Sequence, residues 1–462
     1  MRNFFAFLVV VCTAISAIAE VPPLKVPIGE MVEGISCASD PTQTYTLYIP
    51  STFSNDRRWP VLLVFDPRGR SLIAAELFRE AAETFGWIIV SSDNTRSDGP
   101  WEPNMIALQA LWPEVHSRIP ADLDRIYAAG FSGGGAVAYV LSRTHRQVAG
   151  IIACGARHFP ESLKGNDVPI FATAGNTDFN YHEMHEVDAF LEEQGNSHRL
   201  VIFDGAHTWM PSEVAREAVE WLELVAMQRG LREPDPKLVE SLYAADLKTA
   251  QTLASEGRLL EAARRFREME RTYNGLRDTS ELRRGGEEIE KNPDLKRQRK
   301  ELKRWNAYER QYLGEMNLQF ADLRTAEITP PVSQMARGLR IEELERRARQ
   351  PGVEGVTAQR ALNSLTTGLA FYLPRDFMAA EQYDRLAASL ELAMKIRDDN
   401  PVWWYNLACA RARRNRDEPA MDALKRALEL GFNRTELLDS DEDLDSLRDR
   451  DDFKQLLVAA GK

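Results

Sequence analysis

The stretch RIYAAGFSGGGAVAYVL, residues 125–141, reads as a strand, a tight turn and a helix in direct succession. Ile126 and Tyr127 favour an extended chain, and the run from Ala136 to Leu141 is apolar and helix-forming. Between them Gly130, Gly133 and Gly134 crowd one serine, Ser132. A chain turning this sharply leaves no room for side chains beside the serine, and it lifts the hydroxyl above the sheet edge. The helix N-terminus that follows favours developing negative charge. Ser132 is therefore the candidate nucleophile, with the Gly133 amide beside it. The bland alternative is a glycine-rich turn whose serine is incidental; it leaves the strand–turn–helix placement unexplained.

The flanking sequence supplies the rest of a sheet. Residues 61–65 are an apolar run between Pro60 and Pro67, as expected of a strand buried on both faces. Residues 87–90, 148–153, 170–174 and 200–203 read the same way, and residues 43–49 alternate like a half-buried strand ended by Pro50. Helical spacing is expected over 72–85, 103–115 (with Trp112 on the apolar side), 136–141 and 212–227. Strands alternating with helices predict an α/β fold, a doubly wound parallel sheet with both faces covered. Functional side chains in such sheets gather at the carboxyl ends of the strands.

A serine hydroxyl needs a base, and the base an orienting group. His207 stands in Phe203-Asp204-Gly205-Ala206-His207-Thr208-Trp209, on a short loop after the last strand. Asp178 follows the strand between those of Ser132 and His207. This gives the order Ser132, Asp178, His207. Asp204 is the rival acid, awkwardly close to His207 on one loop. His158 precedes the expected acid, and His116, His145 and His198 fall on segments where a solvated role is expected. His182 and His185, three apart, lack an evident third partner for a metal and read as surface or pocket-rim residues. Among the polar residues 93–101, Trp101, together with Trp209, is expected to wall the pocket. The absence of a long insertion predicts an open site without a large lid.

Charge density divides the chain. Residues 20–230 hold 16 basic and 28 acidic residues, and residues 231–462 hold 41 and 42. Arg232-Glu233-Pro234-Asp235-Pro236 sits at the change, so a linker is placed at 231–236, between a domain at 20–230 and a helical region at 237–462, with few contacts expected to cross. The net charge of −12 argues against a general nucleic-acid binder. Residues 1–19 carry Arg2, an apolar run and Ala17-Ile18-Ala19, the pattern of a secretory signal cleaved near Ala19. Export to periplasm or medium is expected, with no membrane segment in the mature chain. Cys37 and Cys154 are a possible disulfide in an oxidising compartment, although the sequence does not place them together.

Residues 43–228 resemble the α/β-hydrolase fold, and within it secreted esterases of the feruloyl-esterase, polyhydroxybutyrate-depolymerase and dienelactone-hydrolase-like kind. The resemblance implies Ser132 as nucleophile, Asp178 as acid and His207 as base, with no metal or cofactor. One segment departs from the pattern. Many members carry His-Gly after the third strand, where a backbone N–H completes the oxyanion hole. This chain has Asp66-Pro67-Arg68-Gly69, and Pro67 has no N–H. The Arg68 or Gly69 amide is the expected substitute, acting with Gly133.

The second half reads as a helical array. Trp404, Leu407, Ala408, Ala420, Leu424 and Ala427, opened by Pro401, fall at tetratricopeptide spacing. Ala250, Gly257, Ala262 and Phe266 form a weaker copy, residues 285–325 read as one long charged helix, and residues 400–457 resemble the end-of-group form of the repeat. The fold class expected is an α/β-hydrolase sheet followed by an all-α, tetratricopeptide-like domain. The function expected is an exported serine hydrolase acting on small esters, with peptidase activity less favoured. The alternative is a non-catalytic hydrolase-like module in a scaffold that binds a protein partner through its repeats.

Overall fold

The computed structural model describes residues 26–156, 165 and 167–459. The signal expected at 1–19 and His158 lie outside the described residues. Eight strands form one sheet: β1 (Met31–Ser36), β2 (Thr44–Tyr48), β3 (Trp59–Phe65), β4 (Ile88–Ser92), β5 (Ala121–Phe131), β6 (Val148–Cys154), β7 (Ile170–Gly175) and β8 (His198–Phe203). Their order is β1-β2-β4-β3-β5-β6-β7-β8. From β4 to β8 every pairing is parallel, whereas β1–β2 and β2–β4 are antiparallel. The antiparallel edge has a simple cause. Residues 37–43 between β1 and β2 are too few for the crossover a parallel pair requires.

Five helices cover the sheet: α1 (Ser71–Phe85), α2 (Glu102–Ser117), α3 (Gly133–Thr144), α4 (Tyr181–Gln194) and α5 (Ser212–Gln228). Period-two alternation splits the strands between two cores. Leu63, Phe65, Ile126, Ala128 and Ile151 pack with α2, α3 and α4. Leu62, Val64, Tyr127, Ala129 and Ile152 pack with α1 and α5. Cys37 belongs to the first core and Cys154 to the second, and both are free and buried. The disulfide is therefore ruled out: the sheet itself separates the two thiols.

The chain continues as helices α6 (Pro236–Ser255), α7 (Leu259–Tyr273), α8 (Ser280–Glu290), α9 (Pro293–Thr325), α10 (Val332–Gly338), α11 (Ile341–Ala348) and α12 (Gly352–Thr367). A π-turn at Gly368–Tyr372 joins α12 to α13 (Leu373–Ala379). Then follow α14 (Tyr383–Ile396), α15 (Pro401–Ala412), α16 (Asp417–Glu429), α17 (Glu436–Ser440), a 3-10 turn (Glu442–Leu447) and α18 (Asp451–Ala459). The single helix expected over 285–325 is divided at Asn292, whose side chain caps the new helix and whose successor, Pro293, opens it. The acidic run near the end of the chain is in part structural: Asp441 accepts the Tyr405 hydroxyl at 2.7 Å and caps the 3-10 turn.

Contacts across residues 231–236 are extensive, contrary to the sparse crossing expected there. Leu224 and Met227 of α5 share a core with Val239, Tyr243, Phe266 and Tyr273. Buried Arg199 of β8 pairs with Glu217 and, across the boundary, with Asp246 at 3.2 Å. Arg265 pairs with the same two carboxylates. Trp221 donates to Thr272 at 3.1 Å, and the Leu200 amide to Glu268 at 3.3 Å. The segment 232–235 leads directly into a helix: the Asp235 side chain accepts from the Lys237 and Leu238 amides, and Pro236 is the first helical residue.

Candidate active site

Ser132 ends the β5 turn at φ 52° and ψ −122°, a left-handed φ that non-glycine residues rarely adopt. The glycines around it are required by close approach. A Cβ on Gly130 would lie 2.1 Å from the Gly134 carbonyl oxygen, and one on Gly134 would lie 1.9 Å from that of Phe65. Gly133 opens α3, where the first amides of a helix have no intrahelical acceptor.

His207 Nε2 lies 3.0 Å from Ser132 Oγ, and His207 Nδ1 lies 2.8 Å from Asp178 Oδ1. Asp178 is fully buried, while the His207 side chain keeps about a fifth of its surface open. The three residues come from the ends of β5, β7 and β8; β7 and β8 are neighbours, and β6 stands between β5 and β7. Phe131 and Phe179 hold the imidazole, with ring centroids at 4.6 and 4.1 Å. The Asn180 amide donates to Asp178 Oδ1 at 2.8 Å. Gly155, at φ 51°, lies against the acid–base pair: a Cβ there would be 2.7 Å from Asp178 Oδ2 and 3.2 Å from His207 Nδ1. The rival Asp204 instead accepts Asn176 Nδ2 at 2.9 Å.

The turn after β3 differs from what the sequence suggests. The Arg68 amide donates to Asp66 Oδ1 at 2.8 Å, and the Gly69 amide to the Asp66 carbonyl at 3.1 Å. Both expected oxyanion donors are thus already engaged. Their acceptor, Asp66, is fully buried and also takes Arg70 Nε at 3.0 Å, Arg70 Nη2 at 2.9 Å and Trp209 Nε1 at 2.9 Å. Burial alone would raise its carboxyl, but the bonds from Arg70, Trp209 and the Arg68 amide hold it below the ordinary value. Asp66 so ties the β3 turn to the loop that carries His207.

Of the two expected pocket walls, Trp209 packs against Phe78 and Phe131, with ring centroids at 6.2 and 5.7 Å. Trp101, before α2, is 40% exposed. Ser97 of the same loop approaches Gly133 so closely that a Cβ there would lie 2.3 Å from Ser97 Cβ. His182 and His185 are not at the surface edge: His182 Nε2 lies 2.8 Å from Glu309 of α9, and Arg264 of α7 lies 3.4 Å from His185. His145 stacks on Trp112 with centroids at 4.0 Å, His116 lies tilted against the same ring at 4.7 Å, and His198 is buried at the start of β8.

Helices reach the rim of the site, a neighbour the sequence did not suggest. Arg360 Nη1 donates to the Asn176 carbonyl at 2.7 Å and Asn363 Nδ2 to that of Thr177 at 2.8 Å. Arg375 of α13 donates to the Asp98 carbonyl at 2.7 Å. The run from α12 to α13 therefore bridges the acid loop and the 93–101 loop. No insertion within the sheet was needed to place helices there. A separate groove, between α10, α14 and α15, is lined by Val332, Met394, Lys395, Trp404 and Arg411 and shares no residue with the site.

No known family profile matches this chain, and no curated protein matches it. Solved structures do. A ferulic acid esterase aligns at 18% identity and a TM-score of 0.32, over 40% of this chain and 91% of its own. A thermostable esterase aligns at 18% and 0.35, over 42% and 63%. Thermogutta terrifontis esterase 2, phosphoramylated by tabun, aligns at 15% and 0.35, over 45% and 96%.

Proposed function

We propose that this protein is a serine hydrolase that cleaves small carboxylic esters through Ser132, His207 and Asp178. The observation that carries the reading is the continuous chain Ser132 Oγ–His207 Nε2–His207 Nδ1–Asp178 Oδ1, with steps of 3.0 and 2.8 Å, on a strained serine turn. His207 takes the serine proton as Oγ attacks the ester carbonyl. Asp178 holds the Nδ1–H tautomer and stabilises the imidazolium. The Gly133 amide donates to the tetrahedral oxyanion. Collapse expels the alcohol, which leaves with the proton from His207, and Ser132 keeps the acyl group. A water deprotonated by His207 then releases the acid and restores the serine. Trp101 is the exposed apolar surface offered to the acyl or alcohol group.

Two further parts of the reading rest on the sequence. A leader at residues 1–19 makes the enzyme an exported one. Residues 400–457 are a tetratricopeptide-type unit, a reading supported by the antiparallel α15–α16 pair with Ala408, Ala420 and Ala427 fully buried at its seam.

The test is fluorophosphonate labelling and hydrolysis of a short p-nitrophenyl ester by the full mature chain. Ser132→Ala should abolish labelling and lower the rate by several orders of magnitude while the circular dichroism spectrum is kept. A variant retaining more than about a tenth of the activity would overturn the nucleophile. The engaged Arg68 and Gly69 amides favour one competing reading, a hydrolase-like scaffold without activity. A wild-type chain that neither labels nor hydrolyses would establish that reading instead.

A further inference from the structure

The acid loop, residues 176–180, is held on two sides. Toward β8, the Asn176 amide donates to the Phe203 carbonyl at 2.8 Å and the Thr177 amide to that of Gly205 at 2.9 Å. Thr177 Oγ1 also reaches the Gly205 carbonyl, at 2.9 Å, and Asn176 Oδ1 accepts the Gly205 amide at 3.2 Å. These bonds register the acid loop against the loop of His207. The Asn176 and Thr177 carbonyls take their donors from another part of the chain, Arg360 and Asn363 of α12.

Arg360 is built for this position. It is 2% exposed, and its Nε donates to both oxygens of buried Glu309, at 2.8 and 3.0 Å. Glu309 in turn accepts His182 Nε2 at 2.8 Å, from the first turn of α4, which begins directly after the acid loop. The Arg360 guanidinium also lies 4.0 Å from the centre of the Tyr181 ring, the first residue of α4. Burying a guanidinium is costly unless its donors are used, and here they fix its orientation toward one carbonyl. Asn363 is fixed similarly: Gln359 Nε2 donates to its Oδ1 at 3.0 Å, leaving Nδ2 for Thr177.

Resting on the hydrolase reading above, we infer that Arg360 and Asn363 are positioning residues for Asp178, so that the helical half of the chain completes the active site. They touch neither substrate nor the reacting atoms. They hold the two carbonyls that precede Asp178, and so the distance from its carboxylate to His207 Nδ1. A displacement of about an ångström at such a point can cost up to roughly a hundredfold in rate.

The experiment is a double-mutant cycle in the full mature chain with a p-nitrophenyl ester. Asn363 is half-buried and loses one bond to the loop on substitution, so Asn363→Ala should fold. It should lower kcat by about tenfold or more and leave KM within about twofold. Asn363→Gln, which keeps an amide donor, should restore part of the loss. In an Asp178→Asn background the same Asn363→Ala change should cost less than about twofold, because the group it positions is already disabled. Arg360→Lys, which keeps the charge against Glu309 but not the fork, should behave like Asn363→Ala. If Asn363→Ala leaves kcat within about twofold in the wild-type background, or lowers it equally in both backgrounds, the positioning role is wrong. A wild-type chain without esterase activity would instead overturn the hydrolase reading, which is a different result.

Discussion

Replacing Asp66 by Asn removes one charge and should loosen the site at a point that none of Ser132, Asp178 and His207 occupies. The carboxylate takes Arg68 N, Arg70 N and Arg70 Nε on Oδ1, and Arg70 Nη2 and Trp209 Nε1 on Oδ2. An asparagine must choose. With its oxygen at the Oδ1 position, its NH2 faces two donors, and the reverse placement faces three. Arg70 is 40% exposed and can turn to water, so little is charged to it. The Trp209 indole N–H is left without its acceptor in a half-buried setting, at roughly 1–3 kcal/mol. With the oxygen kept at Oδ1 the bond from the Arg68 amide survives but loses its charge assistance, which brings the total to about 3 kcal/mol.

At an unfolding entropy of about 2.1 cal/mol/K per residue, a unit spanning residues 26–459 shifts by roughly 1 °C per kcal/mol, so the melting temperature should fall by roughly 3 °C near pH 7. The pH dependence has a definite sign. The folded-state value of Asp66 is lowered, so its stabilisation is present above the unfolded value of about 3.9 and is lost as pH falls through the folded one. The gap between wild type and Asp66→Asn should therefore narrow in acid. Thermal melts followed by circular dichroism from about pH 7 down to about pH 2.5 read both effects. A fall of less than about 2 °C at neutral pH, or a gap that widens on acidification, would refute the reasoning.

Two further outcomes follow from burial. Cys37 is 1% exposed, and burial with the neighbouring Glu114 carboxylate pushes its thiol up to about 12, so iodoacetamide near pH 8 should label it only after denaturation; prompt labelling of the folded chain would contradict this. A chain cut after Arg232 should be poorly soluble or inactive on small esters, because it bares Leu224 and Met227 and takes Asp246 away from buried Arg199; a well-folded fragment with near full kcat/KM would show that the helices contribute nothing to the site.

The sheet and the placement of Ser132, Asp178 and His207 at its strand ends were legible because their signals are local. Five of the strands are short apolar runs, and Ser132 announces itself through adjacent glycines that a tight turn demands. β1 was not legible: MVEGIS is half exposed and carries Glu33 and Gly34, so no apolar alternation marks it. Helix α4 was masked by its histidines, although Met184, Val187 and Leu191 sit at helical spacing and are its buried residues. The Arg68 and Gly69 amides misled for another reason. The sequence shows that an amide exists, but not that the Asp66 carboxylate next to it has already claimed it. Arg360 and Asn363 lay beyond reach altogether. Each acts on a backbone carbonyl more than 180 residues away, and a carbonyl has no letter in the sequence.

The change in composition near residue 231 marks a change of architecture, but it does not mark a mechanical boundary. A separable domain presents a polar surface where it meets its neighbour. Here the meeting surface holds Trp221, Leu224 and Met227, together with charges that no exposed surface would keep dry. Arg199, Asp246 and Arg265 lie in one buried cluster, and Glu309 with Arg360 in another. Removing one partner of such a pair costs about 3–5 kcal/mol, because the other is left charged and buried. The first cluster fixes α6 and α7 to β8, the strand that delivers His207. The second fixes α9 and α12 to the loop that delivers Asp178. The helical half is thus attached at the ends of the two strands whose side chains must meet over Ser132. An attachment needed only for stability could have been made anywhere on the sheet's faces. One made at both of these ends fixes the loop of His207 relative to the loop of Asp178, as the proposed positioning role of Arg360 and Asn363 requires.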